Sequence, residues 1–250
     1  MNTTISCALL FITSCAFGQQ TAAIDAIREY VLNYTKNLPN YTCTLRTTRT
    51  IQQPNAIQSL RSTVIEEQLS FVEGKERRRI TQINERPASR EPDYQPVGMS
   101  RGEFGNILDI IFEPATAADL RWDRADTLNG RGVDVVAFHV PQSRGYVLKG
   151  SRGNLQVPFE GFVYADAQTH AVLRIQLKCT MIPNDSEIRN VDLSLDYQAA
   201  QVARREFILP SHFVLHYVDS RNRRHTNDAR YSAYRRFDAD ATIQFEGDKQ

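Results

Sequence analysis

Two neighbouring stretches with strict two-residue alternation constrain the fold of this chain more than any other feature. In the first, Leu173, Ile175, Leu177 and Cys179 alternate with Arg174, Gln176 and Lys178. In the second, Val191, Leu193, Leu195 and Tyr197 alternate with Asp192, Ser194 and Asp196. Successive side chains of a β-strand point to opposite faces, so each stretch predicts a strand with one apolar and one polar face. Such strands are typical of an antiparallel sheet with one face on a core, and Arg174 and Lys178 are expected to face the acidic residues of the next strand.

The same pattern recurs along most of the chain. Tyr41, Cys43 and Leu45 alternate with polar residues, and segments 59–72 and 76–84 flank a Glu73-Gly74-Lys75 turn. Asn129-Gly130 is a strong hairpin dipeptide. No internal repeat and no long linker divides the chain. These features predict one domain, residues 19–250, built on an antiparallel sheet of roughly nine to eleven strands.

Two helices are expected beside the sheet. Segment 21–37 carries apolar residues at helical spacing and ends before Pro39. Segment 100–112 opens with Ser100 and Glu103, a capping-box pair, and presents one apolar face. A sheet this wide curls, closes or splits, and two helices can cover one face of it. The predicted class is therefore α+β, mainly antiparallel β: a curved half-barrel with helices on its concave face. Helix 100–112 is either a lid or plug, or part of the core.

The N-terminal segment predicts export. Residues 5–17 form an apolar run with no charge before Asp25, too short for a bilayer span of about 20 residues. It suits a secretory signal, residues 1–18, with cleavage after Gly18, although no Lys or Arg follows Met1. An alternative is a lipobox, Ile12-Thr13-Ser14-Cys15, with Cys15 lipidated and membrane-anchored. A buried N-terminal helix is the third reading. Either export reading places the protein in the periplasm or outside the cell.

Two cysteines remain after signal cleavage, Cys43 and Cys179, both on apolar strand faces. In an oxidising compartment they predict one disulfide, worth roughly 4–5 kcal/mol in the chain-entropy picture. The alternative is two separate buried thiols.

Catalytic and cofactor signatures are absent from the sequence. It has no nucleophile elbow, zincin motif or phosphate-binding loop. His212 and His216 lie four apart on a predicted strand, about 13 Å along it, which is too far for one metal ion. We therefore predict no catalytic, cofactor-binding or metal-ligating residues. The balance of charge, with Lys+Arg 30 and Asp+Glu 29, also argues against nucleic acid as a partner.

The order of elements resembles a known family. A helix ending at Leu38-Pro39-Asn40, a first strand, long β-meanders and a mid-chain helix are similar to the periplasmic lipoprotein carriers of the LolA type and the sensor domains of the MucB/RseB type. Gly161-Phe162-Val163-Tyr164-Ala165-Asp166, followed by Val172-Leu173-Arg174-Ile175, resembles that family's strand, Asp turn and strand.

The resemblance implies a concave face that holds acyl chains or an apolar partner beneath the helices. Lipid or lipoprotein acyl chains are then the expected ligands of a non-enzymatic carrier or sensor, with membrane association only if Cys15 is lipidated. The competing hypothesis is an envelope protein-interaction module with a solid core, recognising its partner through loops such as 86–96. The candidate ligand-lining residues lie on apolar strand faces, where ordinary core packing is the alternative role: Trp122, Phe138, Phe162, Leu173, Ile175, Leu193, Leu195 and Phe213.

Overall fold

The computed structural model describes residues 11–54, 60–88, 103–150 and 153–237. Residues 1–10 of the predicted signal and most of the predicted loop 86–96 lie outside these ranges. The helices are α1 (Phe11–Asn37) and α2 (Glu103–Phe112). The strands are β1 (Tyr41–Gln52), β2 (Leu60–Val72), β3 (Lys75–Ile83), β4 (Arg86–Pro87), β5 (Asp119–Leu128), β6 (Arg131–Val140), β7 (Tyr146–Gly150), β8 (Gly153–Val157), β9 (Phe159–Asp166), β10 (Val172–Cys179), β11 (Ile188–Val202), β12 (Arg205–Asp219) and β13 (Arg224–Arg236).

Eleven strands form one open, curved antiparallel sheet in the order β4-β3-β2-β1-β13-β12-β11-β10-β9-β6-β5. Strands β7 and β8 form a separate hairpin. The predicted half-barrel and its strand number are therefore confirmed. Pairing of β1 with β13 brings the two ends of the sheet-forming segment together in the middle of the sheet.

The alternating stretches of the sequence lie side by side, as predicted. Ile175 pairs with Leu195 and Leu177 with Leu193, all on the covered face. On the other face Arg174 forms an ion pair with Asp196, its cross-strand neighbour. Lys178 lies opposite Asp192, but its ammonium pairs with Glu160 of β9 at 3.0 Å.

Both predicted turns contain residues in the left-handed backbone conformation that a tight hairpin needs. Asn129 and Gly130 have φ of 51° and 81°, the positive values of a tight hairpin, and join β5 to β6. Glu73 and Gly74, at 52° and 73°, join β2 to β3.

Helix α1 begins ten residues before the predicted start at Thr21 and continues through Gly18. No proline precedes Pro39, so nothing interrupts the helical hydrogen bonds of the apolar run. The signal peptide, the cleavage after Gly18 and the lipidation of Cys15 stay predictions. Both helices lie on one face: Ile27 and Val31 of α1 and Ile107, Leu108, Ile111 and Phe112 of α2 belong to the main core.

Candidate functional site

The covered, concave face of the sheet is the candidate site. Its side chains form rows, because strand pairing places residues of successive strands directly opposite one another. We define the first row, from β1 to β6, as Thr47, Ala229, Phe213, Leu195, Ile175, Val163 and Val136. The second row, along the same strands, is Arg49, Asn227, Leu215, Leu193, Leu177, Gly161 and Phe138.

Each row has one polar end and a long apolar part. From Ala229 in the first row and Leu215 in the second, every remaining member is apolar. Apart from Gly161, which is half-buried, these residues are between 0% and 4% exposed. Strands are spaced by about 4.8 Å, so the first row is apolar for five spacings, about 24 Å along the sheet. The polar ends, Thr47 in one row and Arg49 with Asn227 in the other, lie on β1 and β13.

The cover over the rows is made of few elements. Helix α1 contacts α2 and β5, and α2 contacts β6. The β7–β8 hairpin adds Tyr146, Leu148 and Val157 to the same core, with the Tyr146 ring 6.3 Å from the Phe159 ring. A helix with side chains is about 10–12 Å wide, whereas eleven strands extend about 48 Å along the curve of the sheet. Among the described residues, these two helices and the hairpin are a narrow cover for such a face.

Helix α1 is held to β12 by a polar contact. The Tyr34 hydroxyl donates to the Ile208 carbonyl at 2.6 Å, and the Tyr30 ring stacks on Tyr34 at 5.9 Å. Burial raises the pKa of Tyr34 well above its usual range, with smaller contributions from the neighbouring tyrosines, so this phenol stays protonated and keeps donating. Beside this contact lies an open groove of about 440 Å³, which we call the rim groove: Ala26, Glu29, Tyr30, Asn33, Tyr34, Asn37, Leu38, His170 and Phe207.

Five of the eight predicted lining residues lie in the two rows: Phe138, Ile175, Leu193, Leu195 and Phe213. Trp122 extends the first row onto β5, where it is partly exposed and donates from Nε1 to Asp134 at 3.0 Å. The five residues in the two rows are packed among other core side chains.

Phe162 and Leu173 lie on the opposite face, which corrects their predicted placement. Leu173 forms a separate small cluster with Val133 and Val135, and Phe162 packs against it. The register of β9 and β10 shifts between Val172 and Arg174, so Leu173 does not follow the alternation of the residues after it. Phe162 alternates with Gly161 and Val163, which occupy the concave face. The Arg124 guanidinium covers this outer cluster, 5.7 Å from the Phe162 ring centre.

The predicted disulfide is wrong: Cys43 and Cys179 are both free and buried. Strand order explains this, because β1 and β10 are four strands apart, about 19 Å along the sheet, whereas a disulfide needs Cα atoms within about 7 Å. Burial raises the pKa of each thiol to about 12. Both therefore stay protonated and act as apolar core side chains.

The histidines of β12 have local partners on the exposed face. His212 Nε2 lies 2.9 Å from an Asp228 oxygen, and His216 Nδ1 lies 2.9 Å from the Thr226 hydroxyl. Within the described ranges no group of three or more His, Cys, Asp or Glu side chains could hold a metal ion. Among the same residues, no helix has the length and apolar character to cross a membrane.

The polar ends of the rows were missed by sequence reasoning. Thr47 and Arg49 continue the alternation of Tyr41, Cys43 and Leu45 on the same face of β1, and both are buried. Extending the period-two pattern through these polar residues would have placed them on the concave face. No local signal places Asn227 beside them, since it comes from the far end of the chain.

Comparison with known proteins gives matches at the level of structure. Protein-family models and curated protein sequences give no match. A putative outer membrane lipoprotein-sorting protein domain from Vibrio parahaemolyticus is similar over 88% of this chain and 94% of its own, with 11% identity and a TM-score of 0.49. A LolA superfamily protein from Nitrosomonas europaea matches over the same shares with 8% identity and a TM-score of 0.43. MucB in its complex with MucA from Pseudomonas aeruginosa covers 87% of this chain and 100% of its own at 12% identity and a TM-score of 0.24.

At these identities the likeness concerns the fold alone. The open curved sheet with helices on one face is the half-barrel architecture that the sequence predicts.

Proposed function

We propose that this protein is an exported, non-enzymatic binding protein of the cell envelope that takes up a single apolar chain, such as the acyl chain of a lipid or lipoprotein, on its concave face. The two rows are the observation that carries this proposal. The first row presents about 24 Å of apolar side chains, and the second is apolar over about 19 Å, with Gly161 as its one member without a side chain. The two rows are parallel and about 7 Å apart. An acyl chain laid between the rows would contact both along its length.

Uptake requires the cover to move, and α2 is the element best suited to do so. It has ten residues, and the buried side chains within residues 107–112 all lie on one face: Ile107, Leu108, Ile111 and Phe112. An apolar ligand chain would take the place of these α2 side chains on the sheet. The apolar area that is exposed when α2 leaves is then nearly matched by the area that the ligand buries. The rim groove gives a partly apolar entrance at the other helix, between α1 and β12.

Native mass spectrometry of the mature protein prepared from its own envelope, followed by lipid extraction, tests this proposal. We expect a bound lipid or acylated peptide, and saturable uptake of a fluorescent fatty acid methyl ester, an uncharged probe. A clean protein mass together with no uptake of the ester would overturn the proposal.

A matched pair of variants shows on which face of the sheet the acyl chain binds. Leu193 and Leu173 are both buried leucines, but they lie on opposite faces of the sheet. Leu193→Asn places an isosteric amide in the second row and is expected to weaken ester uptake at least fivefold. Leu173→Asn places the same amide on the outer face and is expected to leave uptake within twofold, with both folds checked by circular dichroism.

One observation favours a protein-interaction module as the second candidate. On the outer face a shallow groove of about 370 Å³ crosses β9 to β12 and places the apolar side chains of Phe162 and Val214 among polar ones. If the ester does not bind, a protein partner at this groove becomes the better explanation. Phe162→Ser and Val214→Ser would then reduce capture of that partner.

A further inference from the structure

The polar ends of the two rows form a compact buried cluster, which we call the head site: Thr47, Arg49 and Asn227. These residues are 3%, 8% and 0% exposed. Arg49 Nε donates to the Asn227 side-chain oxygen at 3.0 Å, which joins β1 to β13 across 178 residues of sequence. Thr47 lies two residues before Arg49 on the same face of β1.

Two polar atoms of the head site have no hydrogen-bond partner. They are the Asn227 side-chain nitrogen Nδ2 and the Thr47 hydroxyl Oγ1, each with almost no exposed surface. A buried polar group left without a partner destabilises the folded protein. Two such atoms within one cluster, at the end of the apolar part of both rows, indicate a place where a polar ligand group completes the hydrogen bonding.

The chemistry of the head site favours an anionic oxygen group. A guanidinium, an amide N–H and a hydroxyl can all donate, and charge-assisted bonds from arginine to a carboxylate are among the strongest hydrogen bonds in proteins. Burial lowers the pKa of Arg49, with opposing contributions from Tyr217 and Glu67, but arginine starts so high that it remains charged at neutral pH.

Two carboxylates face this region from neighbouring strands. Burial raises the pKa of Glu67 on β2, whereas Arg78 and Arg49 oppose the shift. Asp219 is held by Arg223 and His225 at the β12–β13 turn.

The position of the head site relative to the rows defines the shape of the ligand. Thr47 is followed in the first row by Ala229 and then Phe213, and Asn227 is followed in the second row by Leu215 and then Leu193. A ligand with its polar group between β1 and β13 would therefore lay an apolar chain across β12, β11, β10 and β9. The surface is polar at one end and apolar along the rest, which is the pattern of a single-chain amphiphile.

We propose that Thr47, Arg49 and Asn227 bind the carboxylate of a long-chain fatty acid whose alkyl chain lies along the two rows. This inference rests on the proposed function, because it assigns the head group of the apolar chain that the concave face takes up. The guanidinium and the Asn227 amide donate to the carboxylate oxygens, and the Thr47 hydroxyl supplies a further donor.

Binding of a fluorescent fatty acid and of its methyl ester to the full chain tests the head site. The two probes differ only in the charged head, so we expect the acid to bind at least tenfold more tightly than the ester. Arg49→Met is expected to bring this ratio close to one. Arg46→Met is the control, since Arg46 lies on the same strand with its side chain on the exposed face.

Thr47→Val keeps the test decisive if Arg49→Met does not fold. Valine has the shape of threonine without the unpartnered hydroxyl, so this variant is expected to be at least as stable as the natural protein and yet to lose part of the preference for the acid. Equal binding of acid and ester by the natural protein would overturn the head site and leave the proposed function standing. Binding of neither probe would overturn both.

Discussion

At the scale of single residues, Gly161 is a position where the sheet has no room for a side chain. A Cβ added there would lie 1.9 Å from the Gln176 carbonyl oxygen and 2.8 Å from the Leu177 Cα, both on the neighbouring strand β10. Gly161 also occupies the second row between Leu177 and Phe138. Glycine is therefore needed for close approach of two strand backbones rather than for a special backbone angle.

We expect Gly161→Ala to destabilise the protein by about 1–3 kcal/mol or more, because β9 and β10 must move apart to admit the methyl group. The measurement is the urea midpoint of unfolding. Gly132→Ala is the control, since a Cβ at Gly132 meets nothing within 4 Å, and its change is expected to stay within about 0.5 kcal/mol. Equal effects of the two substitutions would contradict the close approach.

At the scale of elements, the β12–β13 hairpin is organised by one carboxylate. Asp219 Oδ1 accepts the backbone N–H groups of Arg221 and Arg223, each at 2.9 Å. Asp219 Oδ2 lies 2.7 Å from Arg223 Nε and 3.0 Å from His225 Nε2. The His225 ring in turn stacks on Tyr217, with centres 4.5 Å apart. The turn is thereby tied to the concave face close to the head site.

This arrangement predicts acid sensitivity of the hairpin. Burial alone would raise the pKa of Asp219, but the hydrogen bonds from His225 and Arg223 outweigh it and lower the pKa to about 2. Because the folded pKa lies below the unfolded value of about 3.9, the stabilisation is present above pH 4 and is lost as pH falls from about 4 towards 2.

Asp219→Asn removes that charge and is expected to cost about 1.5–3 kcal/mol at pH 7, with a flatter stability profile between pH 4 and 2. Urea unfolding across this pH range measures both effects. Asp185→Asn, at an exposed position, serves as the control and should follow the natural protein. A profile for Asp219→Asn as steep as that of the natural protein would show that other carboxyl groups cause the acid sensitivity.

At the scale of the whole molecule, one hydrophobic core joins both helices, the β7–β8 hairpin and strands from β1 to β13. A core shared in this way couples the elements, so we expect the domain to unfold in a single cooperative step. The chain contains one tryptophan, Trp122, on edge strand β5, whereas far-ultraviolet circular dichroism reports the whole sheet. The urea transitions followed by Trp122 fluorescence and by circular dichroism should coincide. An earlier fluorescence transition would mean that the β5 edge opens separately.

Much of the fold was predictable, because it depends on local pattern. The alternation around Leu177 and Leu193 identified two paired strands and their apolar face, and Asn129-Gly130 identified a hairpin turn, since each signal is carried by a few consecutive residues. Prediction failed for two residues of β9 and β10. Apolar residues on both faces of β9 hide which face Phe162 occupies. Leu173 sits at a register shift between two strands, which no single strand reveals on its own.

The sequence by itself determined the class of fold, the approximate width of the main sheet and most of the apolar face, because side-chain alternation and turn chemistry act over short distances. Only the tertiary structure decided which strands are neighbours. Pairing of β1 with β13 brings Asn227 to Arg49 and so creates the head site, while four strand spacings keep Cys43 from Cys179. Both outcomes depend on contacts between residues far apart in the chain, and periodicity within a strand carries no information about its partner.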